Sequence, residues 1–216
     1  MDLVKAYRPE SNSFSSGQVL QCAYDFKKAR VVIQEMADAA ALDLVSKKLV
    51  TDQLVLTVGY DIESLTNPAI RAKYNGPVTT DYYGRQVPKH AHGTANLDHQ
   101  TSSSQIIRKA VAELFDRIVN PDLLIRRLNL TTNHVVDESS VKKDAAPQQL
   151  DLFTDYEELE RKEKEEQAAL DKERRMQEAQ LAIKRRFGKN AILKGLNFEE
   201  GATAKERNAQ IGGHKA

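Results

Sequence analysis

The chain has 216 residues, with 32 Lys and Arg against 31 Asp and Glu, and it is 40% hydrophobic and only 6% aromatic. This length suffices for one modest domain and additional segments, because a single core usually serves about 100–200 residues. No apolar run approaches the roughly 18 residues that span a bilayer, which argues against a transmembrane protein. No signal peptide follows Met1, and the single Cys22 excludes an internal disulfide, so we expect a cytoplasmic protein with Cys22 buried or half-buried.

Hydrophobic periodicity predicts four strands and two helices in the order βαββαβ. Apolar residues recur at helical spacing after Asp25, and again after three consecutive serines that offer an N-cap. The expected strands span residues 13–21, 53–60, 89–97 and 125–135. The expected helices span about 25–49 and 102–120, and residues 61–87 are expected to form a loop or a ragged hairpin.

This order predicts an α+β fold in which two helices cover one face of a four-stranded antiparallel sheet and leave the other face polar. Small residues such as Gly93 on the core side of their strand predict a closely packed helix. The expected divisions are an extended leading segment (1–12), this α+β domain (13–137), a linker (138–154), a long charged, solvated helix (155–187) and a C-terminal tail (188–216).

The polar sheet face is the first candidate site, because it offers hydrogen-bond donors at regular spacing, as phosphate backbones require. The same alternation is typical of a sheet face that is merely solvated. The face residues are His90, His92, Thr94, Asn96, Arg127, Asn129, Thr131 and Asn133, with Lys89 and Arg126 beside them.

The sequence QLDLF at 149–153 is the second candidate site. It places Leu150, Leu152 and Phe153 in a linker that has no periodicity and no core of its own. A partner pocket can take these side chains as anchors, with Gln149 as a hydrogen-bonding group. The alternative is that the segment folds back onto the domain.

The charged segment pairs acids with bases at i,i+4 with the acid first, which favours a solvated helix. Its apolar residues are too sparse for a coiled coil. The C-terminal tail (188–216) contains more apolar residues than is typical of a disordered tail. It is either a docking segment for another chain or a cap on this domain.

Motifs for catalysis and metal binding are absent from the sequence, which has no phosphate-binding loop, no GxSxG elbow and no HExxH helix. His90 and His92 share a strand face, but zinc needs three or four ligands and no further ligand lies nearby in the sequence. We therefore expect no metal, no cofactor and no catalytic residue.

Several segments together resemble the little-finger domain of Y-family translesion DNA polymerases of the DinB and UmuC kind. The segments are SFSSGQVL, TDQLVLTVGYD, KHAHGTANL, SSSQIIRKAVAELFDRI and LLIRRLNLTTNHV, followed by QLDLF and the ending GATAKERNAQIGGHKA. QLDLF resembles the motif with which these polymerases bind the sliding clamp. The resemblance implies a sheet that contacts DNA phosphates without sequence preference, and it adds Ser13, Ser15 and Ser16 to the expected DNA contacts.

The resemblance also implies what this sequence lacks. The palm, fingers and thumb of the family, with the carboxylates that bind Mg²⁺, would lie before Met1. We therefore expect a non-catalytic part of a lesion-bypass polymerase, acting in DNA repair and the SOS response to DNA damage. The alternative is a stand-alone adaptor or regulator that competes with the intact polymerase for clamp and DNA.

Overall fold

The computed structural model describes residues 12–141, 156–211 and 214–215. The strands are β1 (Phe14–Tyr24), β2 (Leu49–Tyr60), β3 (Val78–Thr80), β4 (Gln86–Pro88), β5 (Ala91–Thr101), β6 (Ile125–Asn133), β7 (Val136–Asp137), β8 (Gln210–Ile211) and β9 (His214–Lys215). The α-helices are α1 (Phe26–Lys47), α2 (Glu63–Thr66), α3 (Pro68–Arg71), α4 (Ser104–Ile118), α5 (Tyr156–Phe187) and α6 (Ala204–Asn208). Short 3-10 helices span Glu138–Ser140 and Gly195–Phe198.

The main sheet is antiparallel, and its long strands lie in the order β1-β6-β2-β5. This confirms the predicted α+β class, but the predicted strand count is wrong in detail. The short β7 pairs with the start of β2, so that β2 begins at Leu49 and not at residue 53. Two small hairpins, β3–β4 and β8–β9, lie outside the main sheet.

The helices α1 and α4 cover one face of the main sheet, as the periodicity predicts. Asp25 accepts a hydrogen bond from the Lys28 amide at 2.9 Å and begins α1, while Ser103 accepts one from the Ile106 amide at 3.2 Å and begins α4. The rings of Phe26 and Phe115 meet between the two helices with centroids 4.9 Å apart. Among the sheet residues beneath the helices, Leu54, Leu56, Val58, Leu128 and Leu130 are almost completely buried.

The close packing expected at Gly93 is confirmed. A Cβ atom at this position would lie 2.9 Å from Ile118 Cγ2 and 3.0 Å from Leu114 Cδ1 of α4. Gly93 therefore allows α4 to approach β5 more closely than any side chain would.

Gly93→Val should lower the free energy of unfolding by about 1–3 kcal/mol, because the added atoms push α4 away from β5. Urea denaturation followed by circular dichroism measures this change. Gly17→Val is the matched control, since a Cβ at Gly17 meets its nearest neighbour, Asn129 Oδ1, at an ordinary 3.5 Å. Equal midpoints for the two variants would contradict the close approach.

The excursion between β2 and β5 is anchored and is not a simple loop. Ser64 is buried and its hydroxyl accepts a hydrogen bond from the Leu124 amide at 3.0 Å. Tyr74 is also buried and donates to the Pro77 carbonyl at 2.7 Å. These contacts hold the β3–β4 hairpin beside the end of β2.

The helix α5 is only partly solvated, which corrects the expectation of a fully solvated charged helix. Glu173 is buried and accepts hydrogen bonds from the Ser103 hydroxyl at 2.5 Å and the Gln105 amide at 2.9 Å. This places a carboxylate at the N-terminus of α4, where the helix dipole favours negative charge. Gln177, also buried, donates to the Ser102 carbonyl at 3.0 Å. In the described parts of the chain, no helix is long and apolar enough to cross a membrane.

The described part of the tail packs on α1, as the cap interpretation requires. Glu35 of α1 is buried and accepts hydrogen bonds from Asn197 Nδ2 at 2.7 Å, the Thr203 amide at 2.7 Å and the Ala204 amide at 3.0 Å. Lys194 pairs with Asp38 nearby. The tail thus adds a polar layer on the helix side of the domain and leaves the opposite sheet face open.

Candidate nucleic-acid interface

Polar side chains from all four long strands share the sheet face opposite α1 and α4, which we call the open face. The strand registers align them in rows across the sheet. One row contains Gly17, Asn129, Thr57 and His92, and the next contains Ser15, Thr131, Val55 and Thr94. The open face therefore presents neutral donors and acceptors in an ordered array.

Hydrogen bonds between neighbouring strands hold part of this array in place. The Ser15 hydroxyl donates to Asn129 Oδ1 at 2.9 Å, and the Thr131 hydroxyl donates to Ser15 Oγ at 3.0 Å. Among the described residues, the Asn129 amide nitrogen has no hydrogen-bond partner, so its two donor hydrogens are available to an external acceptor.

A second set of bonds crosses β6, β2 and β5. Asn133 Nδ2 donates to Gln53 Oε1 and Gln53 Nε2 donates to Asn96 Oδ1, both at 2.9 Å. Thr57 Oγ1 and His92 Nδ1 are also 2.9 Å apart. These bonds orient the side chains before a ligand arrives, so that binding costs less side-chain entropy.

The positive charge of the open face lies at one end, in Arg126 and Arg127. The register between β2 and β6 shifts after the pair of Gly59 and Arg127. Arg126 is therefore an unpaired extra residue of β6, in a β-bulge. Arg126 Nε lies 3.6 Å from Asp61 Oδ2. Arg127 is exposed and makes no ion pair within the described chain, which leaves its guanidinium available for an anion.

A groove of about 650 Å³ lies at this end, between the open face and the β3–β4 hairpin; we call it the end groove. Arg126, Arg127 and His90 line it on the sheet side. Tyr82, Tyr83 and Arg85 of the hairpin line the opposite side. Cationic and aromatic side chains thus face each other across one opening.

The turn of this hairpin is held by Asp81. Its Oδ1 accepts hydrogen bonds from the Tyr83 and Arg85 amides, both at 2.9 Å, and its Oδ2 accepts from Arg85 Nε at 2.8 Å. Gly84 adopts φ +77°, a conformation that favours glycine. The hydrogen bonds from Arg85 and the backbone hold the pKa of Asp81 below its ordinary value, and the same carboxylate raises the pKa of Arg85.

The structure places most of the predicted DNA-contact residues together. On the open face lie Ser15, His92, Thr94, Asn96, Arg127, Asn129 and Thr131. Ser13 is exposed just before β1, while Lys89 and His90 are exposed between β4 and β5. Ser16 is a wrong prediction for this face: it pairs with the core residue Leu130 and points to the helix side, because successive strand residues alternate.

Two further predictions have different outcomes. Cys22 is exposed and not buried, because β1 loses its register with β6 between Val19 and Tyr24 and the burial alternation breaks there. The QLDLF residues Gln149, Leu150, Leu152 and Phe153 lie outside the described residues. Among those that are described, no group of three His, Cys, Asp or Glu side chains is arranged to hold a metal ion.

Sequence analysis missed the hairpin residues Tyr82, Tyr83 and Arg85, and it missed Gln53 and Thr57 of the open face. The run DYYGR carries a turn signal, an Asp followed three residues later by Gly, that would have placed the tyrosines at a hairpin tip. In the expected strand 53–60, Gln53 and Thr57 alternate with Leu54 and Leu56, and this alternation would have placed both on the polar side.

The family model described as "impB/mucB/samB family C-terminal domain" matches residues 11–152, more than half of the chain. Among solved structures, one titled "Insertion ternary complex of Dbh DNA polymerase" aligns with 8% identity and a TM-score of 0.34. That alignment covers 58% of this chain and 29% of the other. The comparison with curated proteins found no match.

The matched range contains β1, α1, β2, β5, α4 and β6, the elements that build the main sheet and its helix layer. The chain therefore belongs to the impB/mucB/samB family and carries the C-terminal, little-finger domain of these Y-family DNA polymerases.

Proposed function

We infer that this chain supplies DNA binding and sliding-clamp binding to a Y-family lesion-bypass polymerase in DNA repair, without nucleotidyl transfer of its own. The observation that carries the DNA part is the open face, an array of oriented neutral donors that ends in Arg126 and Arg127. Donors of this kind suit phosphate oxygens, which position a protein on DNA without reading its sequence.

The open face is also unsuited to base reading. Most of its side chains are the short ones of Ser, Thr and Asn, and both long core helices pack on the other side of the sheet. Sequence readout in the major groove usually needs a helix or a β-ribbon that enters the groove and reaches the base edges. Binding through this face should therefore depend on charge and backbone shape.

Salt dependence and sequence independence test the DNA part of the proposal. We expect primer-template duplexes of unrelated sequence to bind with affinities within about threefold of one another, because phosphate contacts carry no sequence information. Affinity should fall steadily between 50 and 200 mM salt, as counterions are released on binding (on the order of tenfold for two or three phosphate contacts). Fluorescence anisotropy measures both effects, and strong preference for one sequence or binding that ignores salt would contradict the proposal.

The clamp part of the proposal is supported by the sequence of QLDLF and by the anchoring of the chain on both sides of it. Glu138, the first residue of the expected linker, pairs with Arg174 of α5 at 2.7 Å. Residues 142–155 are thus joined at each end to segments that pack on one domain. A clamp bound to QLDLF would be kept close to DNA bound on the open face, which raises the effective concentration of each partner for the other.

Purified chain should not extend a labelled primer in the presence of Mg²⁺ and four deoxynucleotides. Two-metal nucleotidyl transfer needs carboxylates that hold two ions about 3.5–4 Å apart, and the described residues contain no such acidic group. Denaturing gel electrophoresis of the primer checks this result, with an intact Y-family polymerase as the positive control. Extension that persists in a preparation free of host polymerases would contradict the non-catalytic assignment.

A further inference from the structure

The β3–β4 hairpin exposes two aromatic rings at its tip. The exposed fraction of the residue is 96% for Tyr82 and 73% for Tyr83, the highest values among the large apolar residues of the described chain. Exposed rings of this size gain free energy when a ligand covers them. We therefore ask which ligand could cover the two rings.

Hydrogen bonds fix the conformation of the hairpin tip. Asp81 accepts the amides of Tyr83 and Arg85, and Gln86 Nε2 donates to Thr80 Oγ1 at 2.8 Å across the two strands. At the base of the hairpin, the Lys89 amide donates to the Pro77 carbonyl at 2.8 Å and continues the pairing of the two strands. The rings are thus held outward in a fixed place.

The two rings are perpendicular to each other, with centroids 5.4 Å apart and an interplanar angle of 86°. The guanidinium carbon of Arg85 lies 5.2 Å from the centroid of the Tyr83 ring. Tyr82, which has no such cover, is therefore the ring with the more accessible faces. A flat, uncharged ligand ring can stack on it.

The opposite wall of the end groove carries cationic side chains, and Asp61, which lies beside Arg126, also lines the groove. Arg126, Arg127 and His90 line that wall, and Arg127 has no carboxylate partner among the residues that the structure describes. Aromatic rings on one side and guanidinium groups on the other are the arrangement with which proteins bind single-stranded nucleic acid, where bases stack and phosphates pair with cations.

We propose that the end groove is a binding site for single-stranded DNA, in which an unpaired base stacks on Tyr82 or Tyr83 and the adjoining phosphate binds Arg126 and Arg127. This inference rests on the proposed function, because the phosphate side of the groove belongs to the open face. Duplex DNA keeps its bases stacked on one another, so the tyrosines contribute only where the template is unpaired.

The test compares a single-stranded oligonucleotide with a blunt duplex of the same length, using fluorescence anisotropy at low salt. Tyr82→Ala with Tyr83→Ala should lower affinity for the single strand about tenfold, the effect of losing one stacked base, and should leave duplex affinity within twofold. The pair Tyr82→Phe and Tyr83→Phe is the matched control, since phenylalanine keeps the ring and should keep single-strand binding.

A second measurement reports stacking directly. The chain has no Trp, so Tyr82→Trp introduces a single indole whose emission should be quenched by single-stranded DNA and not by the duplex. Phe198 is exposed on the tail, at the helix side of the domain. The control variant Phe198→Trp should therefore show no quenching with either DNA.

The outcomes separate the two proposals. Either of two results would show that the stacking site is wrong while the proposed function stands. In the first, the native chain binds duplex DNA, and the double Ala variant binds the single strand as tightly as the native chain does. In the second, the native chain binds duplex DNA, and single-stranded DNA does not quench the indole at position 82. If the native chain binds neither form of DNA at low salt, both are wrong.

Discussion

Replacing Leu152 and Phe153 together with Ala should weaken binding of the chain to the bacterial sliding clamp at least 100-fold. Burial of a Leu or Phe side chain contributes about 1.5–3 kcal/mol, and the loss of both corresponds to a factor of roughly 10²–10⁴ in the dissociation constant. A complex of micromolar affinity would then bind too weakly to measure by calorimetry. Gln149 and Leu150 complete the expected contacts of the motif.

Calorimetric titration of the clamp, with the full chain and with a peptide of residues 147–155, measures this effect. Asp151→Ala is the matched control within the motif, because a charged side chain between the apolar anchors is expected to stay in water, and it should change affinity by less than about threefold. Retained binding by the double variant would show that the anchors are wrong. If neither the native peptide nor the full chain binds, the clamp proposal fails.

Replacing Arg126 and Arg127 with Ala should lower affinity for every DNA sequence alike, by about tenfold or more at low salt. Each guanidinium that pairs with a phosphate contributes nearly one unit to the slope of log affinity against log salt. The double variant should therefore lose up to about two units of that slope, with no change in relative affinity among sequences.

The control for this experiment removes the same charge from the other side of the domain. Lys27 on α1 and Lys109 on α4 are both exposed on the helix layer, so their replacement with Ala should leave DNA affinity nearly unchanged. Circular dichroism verifies the fold of each variant, since Arg126 also lies near Asp61. An equal loss of DNA affinity in the two double variants would show that net charge, and not the open face, determines binding.

The sheet and its helix layer could be predicted because their signals are local. Alternation in 89–97 and 125–135 places His92, Thr94 and Asn129 on a polar face, and helical spacing after Asp25 places α1 over the core. The two-residue periodicity of a strand determines which face a side chain takes once the strand is recognised. Ser16 was expected as a DNA contact from the resemblance and not from this alternation, and its side chain lies on the helix side of the sheet.

The contacts that could not be predicted join residues that are far apart in the chain. Glu173 accepts from Ser103, and Glu35 accepts from Asn197 and Thr203. Glu173 belongs to the helix that was predicted to be solvated, and Glu35 belongs to an amphipathic helix with a polar side. In both cases the neighbouring sequence does not indicate the hydrogen-bond partner, which lies far away in the chain.

Local sequence patterns are sufficient to specify the α+β class, the order of the core elements, the polarity of the open face and the QLDLF motif. The tertiary structure decided that the second half of α5 and the tail pack on the domain, and that the β3–β4 hairpin brings Tyr82 and Tyr83 opposite Arg127 to form the end groove. The two kinds of feature differ because the periodicity of a segment shows only which of its faces contacts water and which contacts the core. Polar contacts between segments depend instead on which groups the folded chain brings within hydrogen-bond distance.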